Sequence, residues 1–212
     1  MNNLLARFAR RRKEPSREPI GLPRAVFYFL HPGLWEGFFQ SLGVPAIVSP
    51  PTSRPTLERA GLISETEHCL PVKILDAHLD ALIGKVGRVF VPRILSQRRG
   101  YIACPKLAAL PDAVRAQFGD RFEIVTVDVD ERRQALVRTL EELAMRLGFG
   151  GAEAEQAARA ALRARAAAET ALAESRPAGA GKPYWLIGHP YNLEDEYLSE
   201  MAGRKMAALG AR

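Results

Sequence analysis

Cys69-Leu70-Pro71-Val72-Lys73-Ile74-Leu75-Asp76-Ala77-His78-Leu79-Asp80-Ala81-Leu82-Ile83-Gly84-Lys85-Val86-Gly87-Arg88-Val89-Phe90-Val91-Pro92-Arg93-Ile94 changes its period partway along. In the first part Val72, Leu75, Leu79, Leu82 and Ile83 recur at helical spacing, and Pro71 suits a first helical position, where a missing N–H costs nothing. Gly84 and Gly87 end that helix. Arg88 to Ile94 is a run of β-formers with Pro92 towards its carboxyl end, so a helix feeds directly into a buried strand.

The same alternation extends in both directions. Ile20-Gly21-Leu22-Pro23 reads as a first buried strand. Ala25 to Leu42 reads as a helix broken near Pro32, and Val44 to Val48 as a strand ending in the loop Ser49-Pro50-Pro51-Thr52. Beyond Ile94, Leu107 to Phe118 is partly helical around Pro111 and Phe122 to Asp128 is a buried strand. Asp130 is placed to cap a helix carrying Leu136, Leu140, Leu143 and Leu147 on one face. Strand alternating with helix predicts a Rossmann-like α/β fold, a parallel sheet with helices on both faces, over residues 19–150.

Residues 151–176 are Ala-rich, with Arg and Glu all round and only Leu162 and Leu172 as large apolar side chains. Strong helix propensity with little to bury predicts a helical connector, which with the joint around Pro177 to Gly181 spans 151–182. Tyr184 to Ile187 then reads as a strand. The loop Gly188-His189-Pro190-Tyr191-Asn192 leads into a last helix, with Asn192 and Asp195 in capping-box spacing, so 183–212 is expected to be the first strand and helix of an incomplete second α/β unit.

The 212 residues carry a formal charge of +6, but residues 1–18 hold six basic and two acidic side chains, which is +4 of that total. This predicts a disordered basic leader on a nearly neutral fold, with no nucleic-acid partner. The longest apolar run, Ala25 to Leu30, is far short of the ~18 residues a membrane span needs, and the leader lacks the apolar stretch of a secretory signal. Two cysteines without an export signal point to the cytoplasm.

In open α/β sheets ligands bind beyond the carboxyl ends of the strands. Both cysteines are expected there. Cys69 precedes a helix whose free N–H groups favour a thiolate, and Cys104, followed by Pro105, has Arg98, Arg99 and Lys106 close in sequence. Their separation is too long for a local CxxC clip, which leaves open inert thiols, a shared iron–sulfur or metal site, and a redox or nucleophilic role. His78 shares a face with Leu75 and Leu82 and reads as a hydrogen-bonded packing residue. Arg93 suits either a bidentate anion contact or a structural ion pair, and the loop at Gly188 and His189 offers N–H groups to an anion. Walker, GxSxG and HExxH motifs are absent.

Taken in order, Ile20-Gly21-Leu22-Pro23-Arg24, Leu34-Trp35 with Phe38-Phe39, Ser49-Pro50-Pro51-Thr52, Cys69-Leu70-Pro71-Val72-Lys73, Val91-Pro92-Arg93, Cys104-Pro105-Lys106 and Gly188-His189-Pro190-Tyr191-Asn192 resemble one family. It is the activase-related group of the 2-hydroxyacyl-CoA dehydratases, the CoA-enzyme-activase-associated domain. The resemblance runs from about residue 19 to the last residue. It implies an iron–sulfur system in which dehydratase-type subunits hold a four-iron, four-sulfur (4Fe-4S) cluster and receive an electron from an ATP-driven activase. It makes Cys69 and Cys104 the candidate metal ligands, and Lys73, Arg93, Gly188 and His189 the candidates for holding the cofactor or an anion. Two thiolates are half of the usual four-cysteine shell. The implied partner is therefore a longer dehydratase- or activase-type subunit, or a second copy of the chain. A non-catalytic assembly module and a small anion or CoA-ester binder are the alternatives.

Overall fold

The computed structural model describes residues 15–174 and 186–210. The chain begins with β1 (Ile20–Leu22), α1 (Phe27–Leu30), α2 (Leu34–Ser41), β2 (Ala46–Val48), α3 (Arg54–Ile63), α4 (Leu70–Asp80), β3 (Arg88–Phe90) and β4 (Arg93–Ser96). It continues with α5 (Pro105–Ala108), α6 (Leu110–Phe118), β5 (Glu123–Val125), β6 (Asp128–Asp130), α7 (Leu136–Arg146), α8 (Gly151–Glu174), α9 (Pro190–Leu193) and α10 (Glu196–Ala208).

Four strands form a parallel sheet in the order β2-β1-β3-β5, and β4 pairs with β6, also in parallel. The two sheets are continuous in hydrogen bonding. Val91 N–H donates to the Val125 carbonyl at 2.9 Å and Arg93 N–H to the Val127 carbonyl at 2.9 Å. Pro92 lacks an N–H, so the predicted strand Arg88–Ile94 is divided into β3 and β4 while the ladder carries on. From β1 the chain crosses outward to β2 and then back past β1 to β3. With right-handed crossovers, these opposite senses put α1 and α2 on one face and α3 and α4 on the other.

Phe90, on the central strand, is the hub of the core, with the rings of Trp35, Phe39 and Phe27 at 4.6, 5.3 and 6.0 Å. The break predicted near Pro32 separates α1 from α2. Helix α3 was not anticipated from the sequence, although Ser53 forms a capping box with Thr56 and Pro55 lies in its first turn. Ile83, expected in the buried stripe of α4, lies beyond the helix and is 36% exposed.

Three expectations are corrected. Helix α8 is not a connector with nothing to bury: Ala154, Ala157, Ala158 and Ala161 are buried, and the helix packs against both α2 and α7. Methyl groups bury little area each, but they let backbones approach closely, and a Cβ on Gly37 of α2 would stand 2.6 Å from Ala164 Cβ. Asp130 does not cap α7, whose N-cap is Ala135; its carboxylate accepts from the Arg132 backbone at 3.2 Å and guanidinium at 2.7 Å. Asn192 lies within α9, and Asp195, expected three residues into a helix, is itself the N-cap of α10.

Half of the expected strand from residue 184 to Ile187 lies outside the described residues, and its described half, Leu186 and Ile187, is exposed and pairs with no described strand. The part of the leader up to residue 14 also lies outside the described residues. Residues 15–18 pack on the fold. The buried Arg88 donates to the Ser16 carbonyl at 3.1 Å and the Glu18 carbonyl at 2.5 Å, and Arg17 stands 5.7 Å from the Phe149 ring centre.

Candidate functional site

The strands are short, so the crossover helices extend past their carboxyl ends. His78 lies level with the loop that leaves β2, and Cys69, nine residues earlier in the same helix, stands roughly 13 Å farther out at 1.5 Å per residue. Ser49 N–H continues the β1–β2 ladder to the Leu22 carbonyl at 3.0 Å, and Arg24 N–H donates to Ser49 Oγ at 2.8 Å. Between them the chain turns through Val26 at φ 43°, a conformation β-branched residues rarely adopt, so backbone strain sits at this edge.

Four buried polar side chains form a relay here. Ser49 Oγ is 2.8 Å from His78 Nδ1, His78 Nε2 is 3.0 Å from Thr52 Oγ1, and Thr52 Oγ1 donates to Asp195 Oδ2 at 2.5 Å. Proton counting fixes the directions. Thr52 has one proton and gives it to the carboxylate, so it accepts from His78 Nε2–H. His78 Nδ1 is then an acceptor and takes the Ser49 proton, while Ser49 accepts from Arg24 N–H. The imidazole is neutral, with its proton on Nε2. Its pKa is lowered to about 4 by burial, with Asp195 opposing and Arg24 reinforcing the shift. Asp195 Oδ1 accepts the Tyr197 and Leu198 amides at 3.1 and 3.2 Å, so one carboxylate caps α10 and closes the relay.

Both thiols are exposed, Cys69 as the N-cap of α4 and Cys104 as that of α5. Cys104 opens into a cleft of about 390 Å³ whose walls include Leu30, Ile102, Leu107, His189 and Tyr191, with Arg98 at its rim. The His189 ring stacks on Tyr191 at 5.0 Å and 15°. Burial raises the Tyr191 phenol pKa, with the charges of Cys69 and Cys104 as smaller causes. A second cleft, of about 360 Å³, lies on the other side of the same segment between Arg24, Phe29, Thr52, Asp195, Tyr197 and Glu200.

The other candidates are placed differently. Lys73 is one turn along α4 from Cys69 and half-buried. Gly188 packs on Leu193, where a Cβ would come within 3.3 Å. Arg93 lies away from both clefts: its guanidinium meets Asp112 at 2.7 Å, Asp128 at 3.3 Å and the Ala108 carbonyl at 2.6 Å. His68 stands 3.6 Å from the buried Asp76, too far for a hydrogen bond. Ser49, Thr52, Tyr191 and Asp195 were not among the predicted site residues, although Ser49, Thr52 and Tyr191 lie in the motifs that carry the family resemblance; the 143-residue separation of Thr52 and Asp195 hides their pairing.

As a test of the donor set, no group of three or more His, Cys, Asp or Glu among the described residues is placed to hold a metal ion. The described residues therefore do not by themselves complete the ligand shell of a cluster. Nor does any described helix have the length and apolarity to cross a membrane.

A parallel α/β sheet with a buried polar relay and two open thiols beyond its strand ends defines a Rossmann-like domain with a strand-end site. The chain belongs to the family described as CoA enzyme activase uncharacterised domain (DUF2229), which matches residues 19–212. No curated protein and no solved structure gives a significant match.

Proposed function

We propose that the chain is a cytoplasmic iron–sulfur-associated component of a 2-hydroxyacyl-CoA dehydratase-like system, in which Cys69 and Cys104 supply part of the ligand set of a 4Fe-4S cluster. Two exposed thiols, each the N-cap of a helix, carry this reading. A bound cluster would supply one-electron transfer. In this chain, Cys69 and Cys104 would hold their share of it, and the apolar walls at Leu30, Ile102 and Leu107 would limit water at the Cys104 side. The remaining ligands would come from a partner subunit of the dehydratase or activase type, or from a second copy of this chain.

Large exposed apolar side chains fit such docking: Leu70, Tyr101 and Ile102, near the thiols in sequence, are 46, 64 and 79% exposed, and Ile187, two residues before His189, is 91% exposed. They equally support the alternative of a non-catalytic assembly module. An anion or CoA-ester site at Arg93 is the weaker alternative, because two carboxylates already occupy that guanidinium.

Anaerobic reconstitution with iron and sulfide tests the reading. The native chain, alone or with a dehydratase-type subunit, is expected to retain both elements in equal amounts, and Cys69→Ala and Cys104→Ala are each expected to lose most of them. Retention by neither the native chain nor its complex rejects the cluster. Retention by both variants rejects these ligands.

A further inference from the structure

Residues 186–198 cross the strand-end edge, where α9 packs against α1. No residue of α9 or α10 is fully buried, and from this part of the chain Tyr191 and Leu198 pack partly against the core. Asp195, at the junction of the two helices, is the exception at 3% exposure, and its hold on the domain is the Thr52 hydroxyl. His189 and Tyr191 lie on the near side of that junction, in the cleft that Cys104 opens into.

We infer that Thr52, His78 and Asp195 are positioning residues: their relay pins residues 186–198 as a strap and so fixes His189 and Tyr191 against the Cys104 thiol. The purpose of this arrangement rests on the thiol site proposed above, but the pinning is a property of the apo chain. Each member has a defined part. Ser49 and the Arg24 backbone hold His78 in the tautomer that donates through Nε2. That donor satisfies Thr52, which leaves the Thr52 proton for Asp195. The second oxygen of Asp195 is already committed to capping α10, so strap and helix are anchored by one carboxylate.

Apart from the α9–α1 contact and the partly buried Tyr191 and Leu198, the strap's one fully buried tie is Asp195, so its docking equilibrium depends on the charged hydrogen bond. Removing the hydroxyl leaves Asp195 Oδ2 and His78 Nε2–H unpaired when docked, whereas undocking returns the carboxylate to water. The expected change in the docking equilibrium is about tenfold or more. When the strap lifts, one wall of the Cys104 cleft leaves with it.

The test uses the full chain with Cys104 as its single thiol, in a Cys69→Ala background. Thr52→Val keeps the side-chain shape without the hydroxyl, and Thr52→Ser restores the hydroxyl. The rate of Cys104 alkylation by iodoacetamide, followed by mass spectrometry, is expected to rise several-fold in Thr52→Val and to stay at the parent value in Thr52→Ser. A folded Thr52→Val with unchanged alkylation overturns the inference. Should Thr52→Val fail to fold, amide exchange in the native chain decides. Tyr197 and Leu198 amides exchanging much faster than those of α4 support a separable strap, and equal protection overturns it. None of these readouts involves iron, so a failed reconstitution leaves them intact.

Discussion

Gly37→Val is expected to destabilise the domain by about 3 kcal/mol, the upper end of the usual cost of overpacking. Gly37 lies in the middle of α2, where a glycine would ordinarily cost the helix ~1 kcal/mol relative to alanine. It is required because α8 runs so close: the added Cβ would meet Ala164 Cβ at 2.6 Å and the Ala160 carbonyl at 3.6 Å. Neither neighbour can give way cheaply. Ala164 has no rotamer to change, and α8 cannot back off without parting its buried alanines from α2 and α7. Valine adds two further carbons to a gap already too small for one. Urea unfolding followed by circular dichroism should show a lower midpoint with an unchanged slope. Gly37→Ala should fall between the two, since its gain in helix propensity opposes the clash. Native-like stability of Gly37→Val would mean that α2 and α8 are not in contact.

This contact also marks where the sequence was legible and where it was not. Parallel strands and the first-layer helices were readable because Val72, Leu75 and Leu79, or Leu136, Leu140 and Leu143, announce a buried face through large side chains. Helix α8 hides its buried face in alanine, which looks the same in a solvated helix as in one packed closely. The decisive residues, Gly33 and Gly37, lie more than a hundred positions away in α2 and its approach. The strand-end site shows the same division. Cys69 and Cys104 could be placed from their positions before helices, because a crossover helix must start at the carboxyl edge. The relay could not, because serine and threonine in a Pro-rich loop carry no period, and Asp195 joins them through tertiary packing alone. His78 was readable as a packing histidine from its helical face, and the structure supplies the partners that make its burial tolerable: both ring nitrogens are hydrogen-bonded.

Acid is expected to unfold this domain well above the carboxylate range, because two histidines are buried neutral. The pKa of His31 is lowered to about 3, by burial first and by Arg165 second, and that of His78 to about 4, against an ordinary 6.5 for both. Folded values below unfolded ones mean that the unfolded chain binds more protons throughout the interval between them. Stability therefore rises with pH there, is complete above 6.5, and is lost as pH falls towards 4 and then 3. Two protons taken up on unfolding correspond to a slope of ~2.7 kcal/mol per pH unit, and by pH ~5 the loss is about 4 kcal/mol. A typical domain has only ~5–15 kcal/mol in total.

Other groups modify this less. The buried Asp76 has a raised pKa, mainly from burial, so it acts in the opposite sense and offsets part of the loss. Asp112 and Asp130 are lowered chiefly by hydrogen bonds from Arg93 and Arg132, and their contributions disappear only below the window, under 3.8. At His78 the electrostatic cost has a geometric counterpart. A second ring proton turns Nδ1 from acceptor to donor, and Ser49, already accepting from Arg24 N–H, must rotate its own proton away. Urea unfolding at pH 7.5, 6 and 5 should therefore give steeply falling stability, and His78→Gln should start less stable at pH 7.5 yet show about half the slope. A native slope near zero across that range would mean that neither imidazole is buried neutral. An unaltered slope in His78→Gln would remove His78 from the account and leave His31 alone.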